Sequence, residues 1–418
     1  MLTVLGQPRA LAQLQRSLAS GRLAATWIFA GPPGVGKMRA AIQLAKTVLC
    51  DHPRRQPNGD TLPTLPPDFP LTLPCDACES CRAVDNRGGG SHPDLHLVTK
   101  ELIRYHDKTG TSKGTTLSIH VIRGEITGDP AENKEAKIAK RSFRGKGKFF
   151  IVDEAELMEL PAQNALLKTL EEPPPHTYLI LITPSPQDLL STIRSRSQIV
   201  TFSELPTDVI IRGLIGAGVP SNDAALLARL ARGSLGRALR WAGDIRIIDE
   251  KNAKAADRKA KAKTDAPDDE DDDTAQPFTP GGILGWTRDL AAALDALVAG
   301  RESASAVADV IASAAAQYSK LHLVHDKLAS ADRARRDGIA LMMAIAAEWF
   351  ADRLRHGLGV PSATLLPDQT GALDHALVPK LIATARAAES EIDLNANDKI
   401  LLAATTIIWE KFLHADAR

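Results

Sequence analysis

The sequence predicts an α/β domain with a parallel sheet and a cysteine-rich insert, followed by a small helical domain and a C-terminal helical bundle. Three observations support this. A glycine-rich loop joins an apolar run of strand length to a helical pattern, and further apolar runs alternate with helical segments up to about residue 205. Beyond that point only helical patterns follow. Strands alternating with crossover helices are typical of parallel sheets.

The first element is the glycine-rich loop at residues 31–37, which follows the apolar run 26–30 and precedes a helical pattern from Arg39. Its glycines allow several backbone N–H groups to point at one anion, and Lys37 can reach the outer phosphates of a nucleotide. The pattern predicts a phosphate-binding P-loop for ATP or ADP. The residues expected at the nucleotide are Gly31, Pro32, Gly34, Val35, Gly36, Lys37 and Met38.

Met38 departs from the usual P-loop pattern. The residue after the lysine is normally Ser or Thr, whose hydroxyl holds Mg²⁺. A thioether is a poor ligand for this ion, which binds hard oxygen atoms. The sequence therefore predicts a nucleotide site with weak Mg²⁺ binding and a weak or inactive ATPase.

The four cysteines of the chain lie in one cluster. Twenty-four residues separate Cys50 from Cys75, and two residues separate Cys75 from Cys78 and Cys78 from Cys81. Two-residue gaps allow thiolates to converge on one tetrahedral ion, and a closed set of four sulfurs is typical of structural Zn²⁺. We expect a zinc module at about residues 50–81. The residues between Cys50 and Cys75 are rich in proline and predict an irregular excursion.

Asp153 and Glu154 follow the apolar run 149–152. Carboxylates at this position lie at the carboxyl edge of the sheet, where open α/β sheets bind ligands. In P-loop proteins the first acid holds Mg²⁺, and the second would polarise the attacking water. The pair is thus predicted to be catalytic.

Segments of different composition set the domain boundaries. We expect the P-loop domain at 1–204, a small helical domain at 205–248, a charged linker at 249–280 and a helical domain at 281–418. The linker joins a basic block to an acidic one, as disordered tethers do. A second basic cluster, at 134–148, could face a nucleic-acid backbone or be an ordinary solvated face.

The overall composition excludes some classes of protein. Formal net charge is zero, which disfavours a protein that binds DNA on its own through an excess of basic charge. No apolar run has the length of a membrane span, and the first residues do not form a secretory signal. We therefore expect a cytoplasmic protein without a membrane partner.

These motifs together resemble the AAA+ clamp-loader subunits of bacterial DNA polymerase III. The resemblance rests on Leu5-Gly6-Gln7, the loop 31–37, the four cysteines, Asp153-Glu154, the run Asn164–Pro174, Thr183 with the following Pro-Ser-Pro, and Ser195-Arg196-Ser197. It covers residues 1 to about 245. In the C-terminal region only position and helical character are similar.

The resemblance implies roles for these residues. Arg196 matches an arginine finger that acts in trans on the ATP of a neighbouring subunit, and Thr183 matches the sensor-1 position. The sensor-2 arginine of the hydrolysing subunits would fall near Gly236. The resemblance also implies a helical lid at 205–248 and a collar that mediates oligomerisation at 281–418.

Two functions follow as expectations. In the first, the chain is a stationary subunit that assists ATP-dependent loading of the sliding clamp at primer–template DNA, in a hetero-pentamer with gamma/tau and delta subunits. In the second, it is an active ATPase of the gamma/tau type. Met38 and Gly236 favour the first function, whereas the presence of Lys37, Asp153 and Glu154 favours the second.

Overall fold

The computed structural model describes residues 4–85, 92–106, 116–129, 135–243, 282–325, 331–359, 373–392 and 397–414. The predicted charged linker and Lys134 of the basic cluster lie outside these residues. The described chain divides into two compact units. Unit 1 comprises Met1–Gly213 and Arg232–Arg237, and unit 2 comprises Leu214–Ala231 and Ala238–Arg418.

A five-stranded parallel sheet forms the centre of unit 1. Its strands, in the spatial order β4-β5-β6-β1-β7, are β1 (Thr26–Ala30), β4 (Leu95–Val98), β5 (Lys148–Val152), β6 (Thr177–Thr183) and β7 (Gln198–Thr201). The predicted parallel α/β fold is thereby confirmed. The apolar runs of β1 and β5 are buried on both faces, as the central strands of such sheets require.

Helices surround the sheet in unit 1. They are α1 (Pro8–Ala19), α2 (Lys37–Leu49), α3 (Glu79–Asp85), α4 (Ile103–His106), α5 (Ile119–Ile122), α6 (Leu160–Glu171) and α7 (Ser191–Ser195). Alternate residues of β1 enter different cores: Trp27 and Phe29 pack with residues of α1 and α2, whereas Ile28 and Ala30 pack with residues of α5 and α6. This period-two division makes the domain a three-layer structure.

Residues 51–74, predicted to be irregular, contain an ordered antiparallel hairpin. It consists of β2 (Arg54–Pro57) and β3 (Pro70–Leu73). Asn58 is buried in the connecting loop, where its amide nitrogen donates to the carbonyl oxygens of Leu62, Leu65 and Pro66. Satisfying these buried carbonyls holds the proline-rich loop in one conformation.

Unit 2 is helical throughout its described part. α8 (Thr207–Gly216) spans the boundary between the units, and α9 (Ser221–Leu230) belongs to unit 2. α10 begins at residue 235 and continues to the end of its described stretch at 243. The C-terminal helices are α11 (Ile283–Val298), α12 (Ala304–His325), α13 (Ala331–Gly357), α14 (Val378–Ile392) and α15 (Asp398–Leu413).

The core of the C-terminal helices contains three large aromatic side chains. Trp349 and Phe350 of α13 and Trp409 of α15 are buried, with Phe350 packed edge-on against both tryptophans. The helical bundle predicted for this region is confirmed. None of the described helices is long and apolar enough to span a membrane.

Candidate functional site

The P-loop lies between the end of β1 and the start of α2. Gly31, Gly34 and Gly36 have φ angles of +143°, +75° and +106°, which favour glycine. A Cβ atom at Gly31 would lie 2.1 Å from the carbonyl oxygen of Phe202, so no larger residue fits there. The amide of Gly31 donates to the carbonyl oxygen of Thr183 at 3.2 Å, which joins the loop to the end of β6.

Lys37 is buried against this loop. Its ammonium group donates to the carbonyl oxygen of Pro32 at 2.7 Å and also to that of Gly31. Burial lowers the pKa of Lys37, while the carboxylates of Asp153 and Glu156 act in the opposite direction. The lysine therefore shares one electrostatic environment with two acids of the sheet edge.

Met38 is half-buried and packs against the hydrophobic core around α1 and α2. The side chain at the magnesium-ligand position therefore supplies apolar contact area and no oxygen atom. Val35, also predicted at the nucleotide, is buried in the same core. Its carbonyl oxygen accepts a hydrogen bond from the side-chain amide of Gln7 at 3.3 Å.

The two predicted acids, Asp153 and Glu154, lie in different environments. Burial raises the pKa of Asp153, and the adjacent Glu154 carboxylate adds to this rise, although Lys37 opposes it. Glu154 has a φ angle of +49° and forms an ion pair with Lys100, with an N–O distance of 3.0 Å. Lys100 follows β4 at the same edge of the sheet, and its ion pair with Glu154 was not predicted from the sequence.

A third acid, Glu156, was also missed. Burial raises its pKa, while hydrogen bonding to the side chain of Thr183 lowers it. Within the described structure its Oε2 atom is buried without a hydrogen-bond partner. Thr183, predicted as sensor 1, is fully buried at the end of β6. The spacing Asp153-Glu154-x-Glu156 was the available sequence signal, because the turn after β5 returns Glu156 to this edge.

Gly236, at the expected sensor-2 position, contacts the P-loop through its backbone. Its amide donates to the carbonyl oxygen of Gly34 at 2.8 Å. A Cβ atom at Gly236 would lie 2.9 Å from the Cα atom of Gly34, and one at Gly34 would lie 2.2 Å from the hydroxyl of Ser234. The two glycines therefore permit a close approach that a longer side chain at 236 would obstruct.

Arg196 lies outside this cluster, immediately after α7. Its guanidinium contacts the carboxylate of Glu171 at 3.1 Å and the carbonyl oxygen of Thr192 at 3.2 Å. The side chain is 38% exposed. These contacts of Arg196 involve no residue of the P-loop.

The four predicted metal ligands converge. All four Sγ atoms lie within 4.8 Å of one another, with distances of 3.9 Å for Cys50–Cys78 and for Cys75–Cys81. Tetrahedral thiolates at ~2.3 Å from Zn²⁺ would be separated by ~3.8 Å, so the residues fit this ion. Backbone N–H groups of Ala77 and Cys78 lower the pKa of Cys75 to about 6. His92 and His96 are not part of the described cluster.

Most cations of the basic cluster are already paired. Lys137 contacts Glu125 at 2.8 Å and Lys140 contacts Glu135 at 2.9 Å. Lys148 is buried and donates to two backbone carbonyl oxygens. These pairs favour the solvated-face interpretation of the cluster over a nucleic-acid interface.

The order of the strands, the P-loop after β1 and the acids after β5 define an α/β domain with a P-loop at the carboxyl edge of a parallel sheet. Residues 6–206 match the family model described as "DNA polymerase III, delta subunit".

Three relatives illustrate the similarity. The chain is 30% identical to the DNA polymerase III delta' subunit of Bacillus subtilis, over 54% of this chain and 56% of the relative. It is 31% identical to the delta' subunit of Escherichia coli, over 54% of this chain and 57% of the relative. It is 30% identical to the tau subunit of Bacillus subtilis, over 50% of this chain and 30% of the relative. The chain thus spans just over half the length of these delta' relatives, and identity alone does not separate the two subunit types.

Proposed function

We propose that this chain is a delta-prime-type subunit of a DNA polymerase III clamp loader. It assembles with gamma/tau and delta subunits and assists ATP-dependent loading of the sliding clamp onto primer–template DNA. Its own P-loop binds ATP or ADP with little turnover. The observation that supports the proposal is Gly236 itself: at the position where the resemblance implies a sensor arginine, this chain has a glycine whose amide donates to the carbonyl oxygen of Gly34 at 2.8 Å.

Arg196 is the residue through which this chain would act on a neighbour. A guanidinium directed at the transferred phosphate stabilises the negative charge that develops in the transition state. Its partial exposure and its position after α7 support such a role in trans. The ion pair with Glu171 restricts the orientation of the guanidinium before assembly.

The test is the substitution Arg196→Ala in a complex reconstituted with gamma/tau and delta subunits. Arginine fingers contribute about 10³–10⁵ to turnover at the site they complete, so we expect turnover at the neighbouring ATP site to fall by about 10³ and the ATPase rate of the complex to fall with it, with assembly intact. Arg212→Ala, which removes an exposed arginine from α8, is the matched control. An unchanged ATPase rate in the assembled Arg196→Ala complex would refute the donation of Arg196.

The alternative function is an active gamma/tau-type ATPase, which the retained Lys37, Asp153 and Glu154 favour. The purified chain alone distinguishes the two. Turnover on the order of 1 s⁻¹ is ordinary for an enzyme and would establish the alternative. We expect hydrolysis far below this rate, because Met38 provides no oxygen ligand for Mg²⁺.

We further propose that the four cysteines bind one structural Zn²⁺. With four sulfur ligands the ion has no open coordination position, so it would stabilise the module rather than react. Metal analysis of the purified chain should give about one zinc per chain, and Cys78→Ser should reduce this content. A wild-type chain that retains no zinc after purification without chelators would contradict this assignment.

A further inference from the structure

An acidic residue follows each of the first three cysteines. These residues are Asp51, Asp76 and Glu79. In all three cases the carboxylate forms an ion pair with a cation that lies outside the run 75–81. The acids are therefore points of attachment between the cysteine cluster and the rest of unit 1.

Arg144 connects two of these acids. Its guanidinium contacts Glu79 at 2.6 Å and Asp51 at 3.4 Å. Lys146 donates to the carbonyl oxygen of Cys50 at 2.6 Å. The segment that carries both cations is itself fixed, because the amides of Phe143 and Arg144 donate to the carboxylate of Asp94 at 2.7 and 3.1 Å.

Lys46 of α2 holds the third acid. Its ammonium group, with a side chain only 5% exposed, contacts Asp76 at 2.6 Å and Asp85 at 2.7 Å. Asp76 lies between Cys75 and Cys78, and Asp85 ends α3. Lys46 thus joins the loop that carries two of the cysteines to the helix that carries Cys81.

The charges explain why cations are needed here. Four thiolates around one Zn²⁺ carry a net charge of about −2, and the three following acids add further negative charge. Lys46, Arg144 and Lys146 place positive charge on this cluster and fix the backbone from which the thiolates project. Groups that orient metal ligands in this way typically contribute 10–100-fold to metal affinity.

We infer that Lys46, Arg144 and Lys146 are positioning residues of the zinc centre, acting through the acids that follow the cysteines. This inference rests on the proposed zinc site. It also assigns a role to the second half of the basic cluster at 134–148: Arg144 and Lys146 bind the cysteine module of their own chain rather than an external polyanion.

The test measures zinc affinity and the rate of zinc release to a chromogenic chelator, using the purified full-length chain. We expect Arg144→Gln to lower affinity 10–100-fold and to accelerate release. The control is Arg141→Gln, which removes an exposed cation of the same segment and should leave both quantities unchanged. Unchanged affinity and release in Arg144→Gln would overturn the inference.

A merely structural role of Arg144 is distinguished by a second variant. Glu79 is 75% exposed on its side chain, so Glu79→Gln removes the acid with little disturbance of the core. We expect Glu79→Gln to weaken zinc binding. The zinc affinity of the double variant should be only slightly lower than that of Arg144→Gln, since the two residues act as a pair. Fully additive losses of zinc affinity would refute the pairing.

A wild-type chain without zinc would refute both this inference and the proposed zinc site. A wild-type chain that binds zinc, together with an Arg144→Gln variant of unchanged zinc affinity and release, would refute this inference alone.

Discussion

Met38 and Gly236 lie at the two positions where the proposed nucleotide site departs from the expected pattern. Met38 packs into the core beside α1 and α2, and Gly236 allows a backbone contact with Gly34. The fold of the loop accommodates both residues, because its glycines have positive φ angles and Lys37 still donates to the carbonyl oxygen of Pro32. The proposed nucleotide site therefore keeps the glycines and the lysine expected to bind phosphate, while Met38 and Gly236 supply neither of the two groups expected for hydrolysis.

At the residue scale, His96 predicts a pH dependence of stability. Burial lowers its pKa to about 4, with smaller contributions from Lys137 and Lys148. A histidine in the unfolded chain titrates near 6.5, so protons bind preferentially to the unfolded state. The stabilisation is complete above about pH 6.5 and is lost as the pH falls towards 4. Allowing for partial exposure, the loss is on the order of 2 kcal/mol.

The measurement is the free energy of unfolding by urea at several pH values. His96→Phe keeps a ring against Phe150, on which His96 stacks at 4.6 Å, and removes the titration. Its stability should fall less steeply between pH 6.5 and 4 than that of the wild type. His120→Phe, at an exposed position, should retain the wild-type slope. Equal slopes for wild type and His96→Phe would contradict this explanation.

At the scale of elements, the β2–β3 hairpin depends on a side chain that is far away in sequence. Gln15 of α1 is buried, accepts from the amide of Thr72 at 2.8 Å and donates to its carbonyl oxygen at 3.0 Å. These are the two hydrogen bonds that another strand would make. The side chain therefore completes the inner edge of β3.

Gln15→Ala should loosen this hairpin. Leaving the partly buried backbone amide and carbonyl of Thr72 without these partners costs about 1 kcal/mol, the lower end of the range for buried groups. We expect faster proteolysis within residues 54–73 and a lower free energy of unfolding. Arg9→Ala, at an exposed position of α1, should leave the proteolysis rate unchanged. A hairpin that remains equally resistant in Gln15→Ala would indicate that its own small core suffices.

These elements also show what the sequence could predict. Continuous apolar runs such as Phe149–Val152 identified the buried strands, and cysteine spacing identified the cluster. The hairpin was missed because Gln15 and Asn58, which hydrogen-bond its backbone, carry no periodic signal. Lys100 and Glu156 were missed for a similar reason: turns after β4 and β5 bring them to the sheet edge, and turn geometry cannot be read from hydrophobic periodicity.

At the scale of the whole molecule, unit 2 contains a buried acid that joins distant parts of the chain. Asp352 of α13 is fully buried, contacts Arg229 of α9 at 3.2 Å and contacts Arg355 at 2.7 Å. Removing one partner of a buried ion pair leaves the other charge uncompensated and costs roughly 3–5 kcal/mol.

Asp352→Asn should therefore lower the stability of unit 2 by roughly 3 kcal/mol. The measurement is hydrogen exchange of amides in α9 and α13, which should lose protection. Asp332→Asn, at an exposed position of the same helix, is the control and should have little effect. Protection that survives in Asp352→Asn would show that apolar packing alone holds these helices together.

The division of the chain into units has a consequence for dissecting the protein. The backbone leaves unit 1 after Gly213, returns for Arg232–Arg237 beside the P-loop, and leaves again at Ala238. A cut anywhere in 244–281 would leave α9 on the N-terminal fragment and separate its Arg229 from Asp352. Such a cut keeps unit 1 whole but divides unit 2, so the charged stretch does not coincide with the boundary between the units.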